Sequence, residues 1–249
     1  TKGSVAKQLV LFSLPFLASN LLQALYNMAD MLIVGQFCGM VGTSAVGIGG
    51  QVTILVINLI SGLAVGGTVM IAQFIGAGRQ EQVKRTIGTM FSLYAIAGVV
   101  MTVVMLLLCK PVLNALSTPA ESYAEAERYL NICMAGTIFV FGYNGVSAVL
   151  RGMGDSRHPL IFVLIAAIIN VVLDIFFISG LGMGVGAAAL ATAISQFVSA
   201  FLCLIHLLRA KEEYRLQLNK IRFDSQMLWQ IIQHGVPSGF QNSVIAIAN

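Results

Sequence analysis

Long apolar stretches separated by short charged ones set the pattern of this chain. Seven stand out, at residues 9–34, 46–75, 87–108, 130–150, 160–178, 187–208 and 228–249. A helix needs about 20 apolar residues to cross a hydrocarbon core roughly 30 Å thick, which each stretch supplies. No water reaches the backbone in that core, so a spanning segment must close its own hydrogen bonds as a helix or pair them in a closed barrel. Barrel strands would be about 10 residues long and alternate polar with apolar, a pattern absent from this sequence. The polar, helix-favouring segment 121–128 predicts that the fourth helix begins outside the membrane. An all-α membrane protein follows.

Charge on the connectors predicts how the helices are threaded. With the N-terminus cytoplasmic, the inner segments carry Lys2, Lys7, Arg79, Lys84, Arg85, Arg151, Arg157, Arg209, Lys211, Arg215, Lys220 and Arg222, and the outer ones only Lys110 and Arg128. That asymmetry alternates correctly from loop to loop, as the positive-inside rule requires. The first apolar stretch is too long for a signal peptide and has no small-residue cleavage site before Asp30, so an uncleaved first span is expected.

Composition narrows the class further. Apolar residues make up 57% of the chain and charged ones 10%, against roughly 25% charged in a soluble domain. Mean hydropathy is +0.88 and the pI is near 9.0. The positive balance is explained by the inner loops, so a soluble enzyme and a nucleic-acid module are both excluded. Cys38, Cys109, Cys133 and Cys203 have no metal-binding or redox spacing and read as apolar packing.

A displacement of 222 residues superimposes 7–27 on 229–249, with five identities in 21: Gln8/Gln230, Pro15/Pro237, Asn20/Asn242, Ala24/Ala246 and Asn27/Asn249. An even number of crossings separates the copies, which makes the repeat parallel, a layout found in secondary transporters. The expected organisation is a six-helix transmembrane lobe over 1–208, a cytoplasmic inter-lobe linker over 209–226, and the truncated start of a second lobe, helix 7, over 227–249.

Two of the ten acidic residues, Asp30 and Asp174, fall inside apolar stretches. A carboxylate at the centre of a bilayer costs about 2.5 to 3.5 kcal/mol even on a mild insertion scale, so such groups usually face a cavity and carry function. No Lys or Arg lies within the apolar part of any span to neutralise them, leaving a proton or a metal cation as partner. At about 1.5 Å per residue, Asp174 stands some 24 Å above the inner edge, and Thr192, descending on the next helix, reaches a similar level. Asp30 falls near the outer rim by the same reckoning. Asn170 and Tyr26 each sit one turn from their acid. Two carboxylates with amide and hydroxyl oxygens suit Na⁺ and suit protons equally. Pro15 removes a backbone hydrogen bond inside the first span and predicts a kink there. Gly35/Gly39, Gly62/Gly66 and the glycines at 180, 182, 184 and 186 read as close-packing positions.

Pro15 followed by Tyr26-Asn27-Met28-Ala29-Asp30 and Val34-Gly35 resembles helix 1 of the multidrug and toxic compound extrusion (MATE) transporters. So do Gly76-Ala77-Gly78-Arg79, Leu150-Arg151-Gly152-Met153-Gly154-Asp155 and, above all, Asn170-Val171-Val172-Leu173-Asp174. The resemblance covers the whole chain and is nearest to the DinF-like bacterial branch. It implies the N-terminal lobe of a twelve-helix, two-lobe antiporter of the bacterial inner membrane, a monomer that exports organic cations and amphipathic drugs by alternating access in exchange for H⁺ or Na⁺. It also implies a cation site of Asp30, Asn170, Asp174 and Thr192, supporting polar residues Tyr26, Tyr129 and Asn144, and a hinge at Pro15. No cofactor and no enzymatic step are implied. Many members place Pro after the second acid, whereas here it is Ile175, which puts a kink at that point in question.

Two rivals have different signatures. A lipid-linked oligosaccharide flippase of the same superfamily should line its cleft with Arg or Lys to hold pyrophosphate, and the apolar stretches carry none. An intramembrane aspartyl protease would set its acids in Tyr-Asp and Gly-x-Gly-Asp, but Ala29 precedes Asp30 and Val172-Leu173 precede Asp174. No Gly precedes a Lys, so a Walker A loop is absent and an ion gradient is the expected energy source.

Overall fold

A computed structural model describes residues 5–209 and 223–248. Most of the expected linker, with Lys211, Arg215, Lys220 and Arg222, lies outside the described residues, as do Lys2 and Asn249.

The described residues form long helices and no strands: α1 (Val5–Gly76), α2 (Gln80–Ala115), α3 (Ala120–Gly152), α4 (Arg157–Asp174), α5 (Val185–Leu208) and α6 (Ser225–Ala248). Five of these stretches are long and apolar enough to cross a membrane, α1 counting once. α1 nevertheless holds the first two predicted spans. Its backbone leaves the helical region at Gly39 (φ 64°, ψ −159°), a left-handed φ that glycine adopts without steric cost. A Cβ on Gly35 would lie 3.1 Å from Thr43, and one on Gly42 would lie 3.1 Å from Val34. Eight residues of straight helix span about 12 Å, so the two limbs, 5–38 and 40–76, fold back on each other. The sequence predicted a connector of 35–45; helix fills it on both sides of one turning residue. Gly39 is therefore a turn position and not a packing one, and Gly184, with φ 71° at the N-cap of α5, is another.

α3 starts at Ala120, in agreement with the early start expected of the fourth span. It packs against α1, α2 and α5, and Leu130, Met134, Phe141 and Leu150 on it are fully enclosed. Small residues set the distances: a Cβ on Gly136 would meet Ala193 of α5 at 2.9 Å, and one on Gly66 would meet the Ile231 carbonyl of α6 at 2.5 Å. The Gly62/Gly66 pair is thus the place where the second limb of α1 meets Gly235. Leu14, Leu17, Leu21 and Leu32 of α1, with Val99, Val103 and Leu107 of α2, point outward, the arrangement expected where the surroundings are lipid. α1 remains helical through Pro15, and Gly39 is its one residue with non-helical dihedrals.

Beyond Asp174 the helix does not end. Residues Ile175–Gly180 continue as a π-helix, with the Leu181 amide donating to the Phe176 carbonyl at 3.1 Å. Ile175 keeps the backbone N–H that a proline would lack, so the hydrogen-bond ladder widens instead of breaking. Such segments are rare and are found frequently at functional sites.

Candidate functional site

Asp30 lies on the first limb of α1, Asn170 and Asp174 on the last turns of α4, and Thr192 on the second turn of α5. The three elements meet, since α4 packs on both α1 and α5. Asp174 and Asn170 are enclosed, at 0% and 1% exposure, and Asp30 retains 6%. The first limb of α1 continues to Gly39, nine residues past Asp30, or about 14 Å. Asp30 therefore lies well inside its helix, and it is nearly completely buried.

Asn170 Nδ2 donates to Thr192 Oγ1 at 3.2 Å, tying α4 to α5. On the other side, Gln196 Nε2 donates to the Tyr26 hydroxyl at 3.4 Å, tying α5 to α1. Asp30 and Asp174 are near enough for their charges to act on each other, and Tyr129 is within range of both. Tyr129 is buried, its ring packed over Gly49, where a Cβ would come within 2.5 Å.

The acceptor atoms define what the arrangement lacks. Asp30 Oδ1, Asn170 Oδ1 and both carboxylate oxygens of Asp174 are shielded from solvent and have no hydrogen-bond partner among the described residues. Every one of them is an acceptor. Leaving a buried polar atom unpaired costs about 1 to 3 kcal/mol, and more for a charged group. A cation or a proton is the chemical species that relieves this, and no Lys or Arg is paired with either acid among the described residues. Hard oxygen donors suit Na⁺, and a carboxyl pair suits H⁺.

Other sequence-predicted residues are placed differently. Asn144 Nδ2 donates to Val140 O at 2.8 Å on its own helix, and no hydrogen bond joins it to the acids. Ser19 Oγ donates to the Pro15 carbonyl at 2.9 Å, one turn along α1. Gln196 was not singled out from the sequence, although it follows Thr192 by four residues and so shares its helix face. Arg151, read as an inner-loop charge, folds back at the end of α3: its Nη1 donates to Ser147 Oγ at 2.7 Å, and its guanidinium sits 5.6 Å from the centre of the Phe16 ring. It ties α3 to the turn that holds Pro15.

Comparisons with known proteins agree with this architecture. The MatE family model matches residues 15–176. The probable multidrug resistance protein YpnP of Bacillus subtilis is 31% identical over 98% of this chain and 55% of its own length. The probable multidrug resistance protein NorM of Thermotoga maritima is 30% identical over 97% of this chain and 53% of its own. Among solved structures, the outward-facing conformation of a multidrug resistance MATE family transporter of the MOP superfamily superimposes with a TM-score of 0.92 at 29% identity, over 99% of this chain and 55% of that one. The inward-facing conformation of such a transporter gives 0.85 at 30% identity, over 91% of this chain and 51% of that one. This chain thus spans about half the length of the relatives it matches. With the family model matched over most of its length and the same helical lobe present, the chain belongs to the MatE family, that of the multidrug resistance transporters.

Proposed function

We propose that this chain is the N-terminal lobe of a cation-coupled antiporter that exports organic cations and amphipathic drugs by alternating access. The observation that carries the reading is the set of unpartnered acceptor oxygens on Asp30, Asn170 and Asp174. A positive ion entering this site, H⁺ or Na⁺, would satisfy them and favour the packing of α1, α4 and α5 in which they converge. Substrate would favour the other packing, so the two ligands oppose each other through one shared equilibrium. Pro15 serves as the hinge of α1, Tyr26, Tyr129 and Gln196 line the polar chamber, and Asn144 belongs to its margin. The names of the relatives, multidrug resistance proteins, support the substrate class.

The companion parts of the reading are a twelve-helix monomer in a bacterial inner membrane, N-terminus cytoplasmic, with 1–208 as one lobe, 209–226 as linker and 227–249 opening the second lobe. Relatives named as multidrug transporters favour it over the flippase, and no enzymatic role is assigned to the acids. The test is uptake of a fluorescent organic cation by proteoliposomes of the full-length polypeptide under an imposed pH or Na⁺ gradient. Gradient-driven flux in the wild type, lost in Asp30→Asn and Asp174→Asn, is the expected result, and the driving gradient names the ion. Flux unchanged by both substitutions would reject the site.

A further inference from the structure

At the end of the bundle where α3 turns into α4, three side chains from separate segments converge. Asp155 lies in the turn, His158 opens α4 and His206 closes α5. Asp155 Oδ2 is 2.6 Å from His158 Nδ1 and 3.2 Å from His206 Nε2. The two imidazole rings stack with centroids 3.9 Å apart and planes inclined by 27°. One ligand atom from each of the three residues lies within 4.8 Å of the other two.

We propose that Asp155, His158 and His206 form a site for a divalent transition-metal ion of the zinc class. Zinc is held by imidazole nitrogen and carboxylate oxygen at about 2.0 to 2.2 Å in a tetrahedron, which puts neighbouring ligand atoms roughly 3.3 Å apart. The His206 contact already has that length, and the shorter His158 contact needs only a small opening of the hydrogen bond.

The carboxylate is held in place independently of the imidazoles. Its other oxygen, Oδ1, accepts the His158 backbone N–H at 3.2 Å, and the Asp155 amide donates to the Leu150 carbonyl at 2.9 Å. Fixing a ligand through its remaining polar atoms is the usual support of a metal site. The Phe162 ring flanks both imidazoles, with centroids 6.1 Å from His158 and 5.9 Å from His206, and so limits their rotation. Among the described residues no Lys or Arg pairs with Asp155; its side-chain contacts are with the two histidines. The side chains of His158, His206 and Asp155 remain 45%, 33% and 26% exposed, leaving a path for the ion and room for a water as fourth ligand. Two imidazoles and one carboxylate select zinc-like ions over Mg²⁺ and Ca²⁺, which prefer oxygen. A bound ion would clamp the end of α5 to the α3–α4 turn.

The site is distinct from the acids of α1 and α4, and its test is independent of transport. Purified full-length polypeptide, stripped by chelator, is titrated with Zn²⁺ and with Co²⁺, and Mg²⁺ is added as competitor. Expected are a Zn²⁺ site whose affinity falls tenfold or more in His158→Gln and in His206→Gln, the strong visible bands of four-coordinate Co²⁺, and no displacement by Mg²⁺. Asp30→Asn should leave all three unchanged. Absence of the Co²⁺ bands, or equal Zn²⁺ affinity in wild type and both folded His variants, overturns the proposal. Should either variant fail to fold, wild-type protein is treated with diethyl pyrocarbonate and mapped by mass spectrometry. Protection of His158 and His206 by Zn²⁺ supports the site, and equal labelling with and without Zn²⁺ overturns it.

Discussion

Asn170 gives its amide N–H to the Thr192 hydroxyl at 3.2 Å, and by doing so leaves its own carbonyl oxygen enclosed and unpartnered. The amide is thereby held between α4 and α5 with its acceptor side unused, beside an acid one turn further along the same helix. In Thr192→Val the shape is kept but the acceptor is lost. We expect Tm to fall by the equivalent of about 1 to 3 kcal/mol, the cost of an unpaired buried donor. The coupling-ion affinity, read from the ion dependence of drug uptake, should weaken by roughly the tenfold that 1.4 kcal/mol represents. Unchanged ion dependence would detach Thr192 from the site.

Asp174→Asn should separate stability from activity. The buried carboxylate makes no hydrogen bond among the described residues, so replacing it with a neutral amide removes a desolvation cost. Unfolding of the purified full-length protein without coupling ion should show Tm equal to or above wild type, while gradient-driven flux falls at least tenfold. Such opposition is the usual signature of a site held in an unfavourable state for function. A large loss of Tm would instead make Asp174 a structural residue.

Gln196→Leu cuts the tie between α5 and Tyr26 of α1. Loss of a hydrogen bond of this kind is worth about 0.5 to 1.5 kcal/mol. The expected outcome is a modest drop in Tm with a several-fold change in transport rate, measured in the same vesicles. Gln196→Glu, which keeps an acceptor but adds charge near Asp30, should be more damaging to transport than Gln196→Leu.

Two glycines of the second α1 limb should respond oppositely to alanine. At Gly66 the new Cβ would lie 2.5 Å from the Ile231 carbonyl and 2.8 Å from the Gly235 amide, whereas at Gly47 it would meet nothing within 4 Å. Gly66→Ala must push α6 away and should cost about 1 to 3 kcal/mol. Gly47→Ala should gain up to about 1 kcal/mol from helix propensity. Thermal unfolding of both variants checks the pair, and equal shifts would contradict the close approach of α6.

The helices and the acids of this lobe were legible because the membrane leaves so few options: length and apolarity dictate each helix, and a carboxylate in such a stretch stands out. Asn170 and Thr192 were within reach because helical spacing and depth place them level. Gln196 follows Thr192 by one turn, yet its value lies in a bond to Tyr26, 170 residues away, and spacing on one helix cannot reveal a partner on another. The Gly39 turn was hidden for a related reason, since neighbouring Gly35 and Gly42 carry the same composition and only the backbone distinguishes the residue that reverses the chain. The π-helix after Asp174 likewise leaves no compositional mark. Arg151 shows the limit of counting loop charges: it is basic and lies at a helix end, but its long side chain turns back to Phe16.

The reversal at Gly39 leaves no slack between the first two crossings. With helix running to the residue before it and resuming at the residue after it, there is no loose tether to absorb movement. Any tilt of the limb bearing Pro15 and Asp30 must be handed at once to the limb bearing Gly66, and from there to α6. A swing begun near the acids would therefore be felt at the far helix as displacement, much as a stiff crank passes on every turn of its handle.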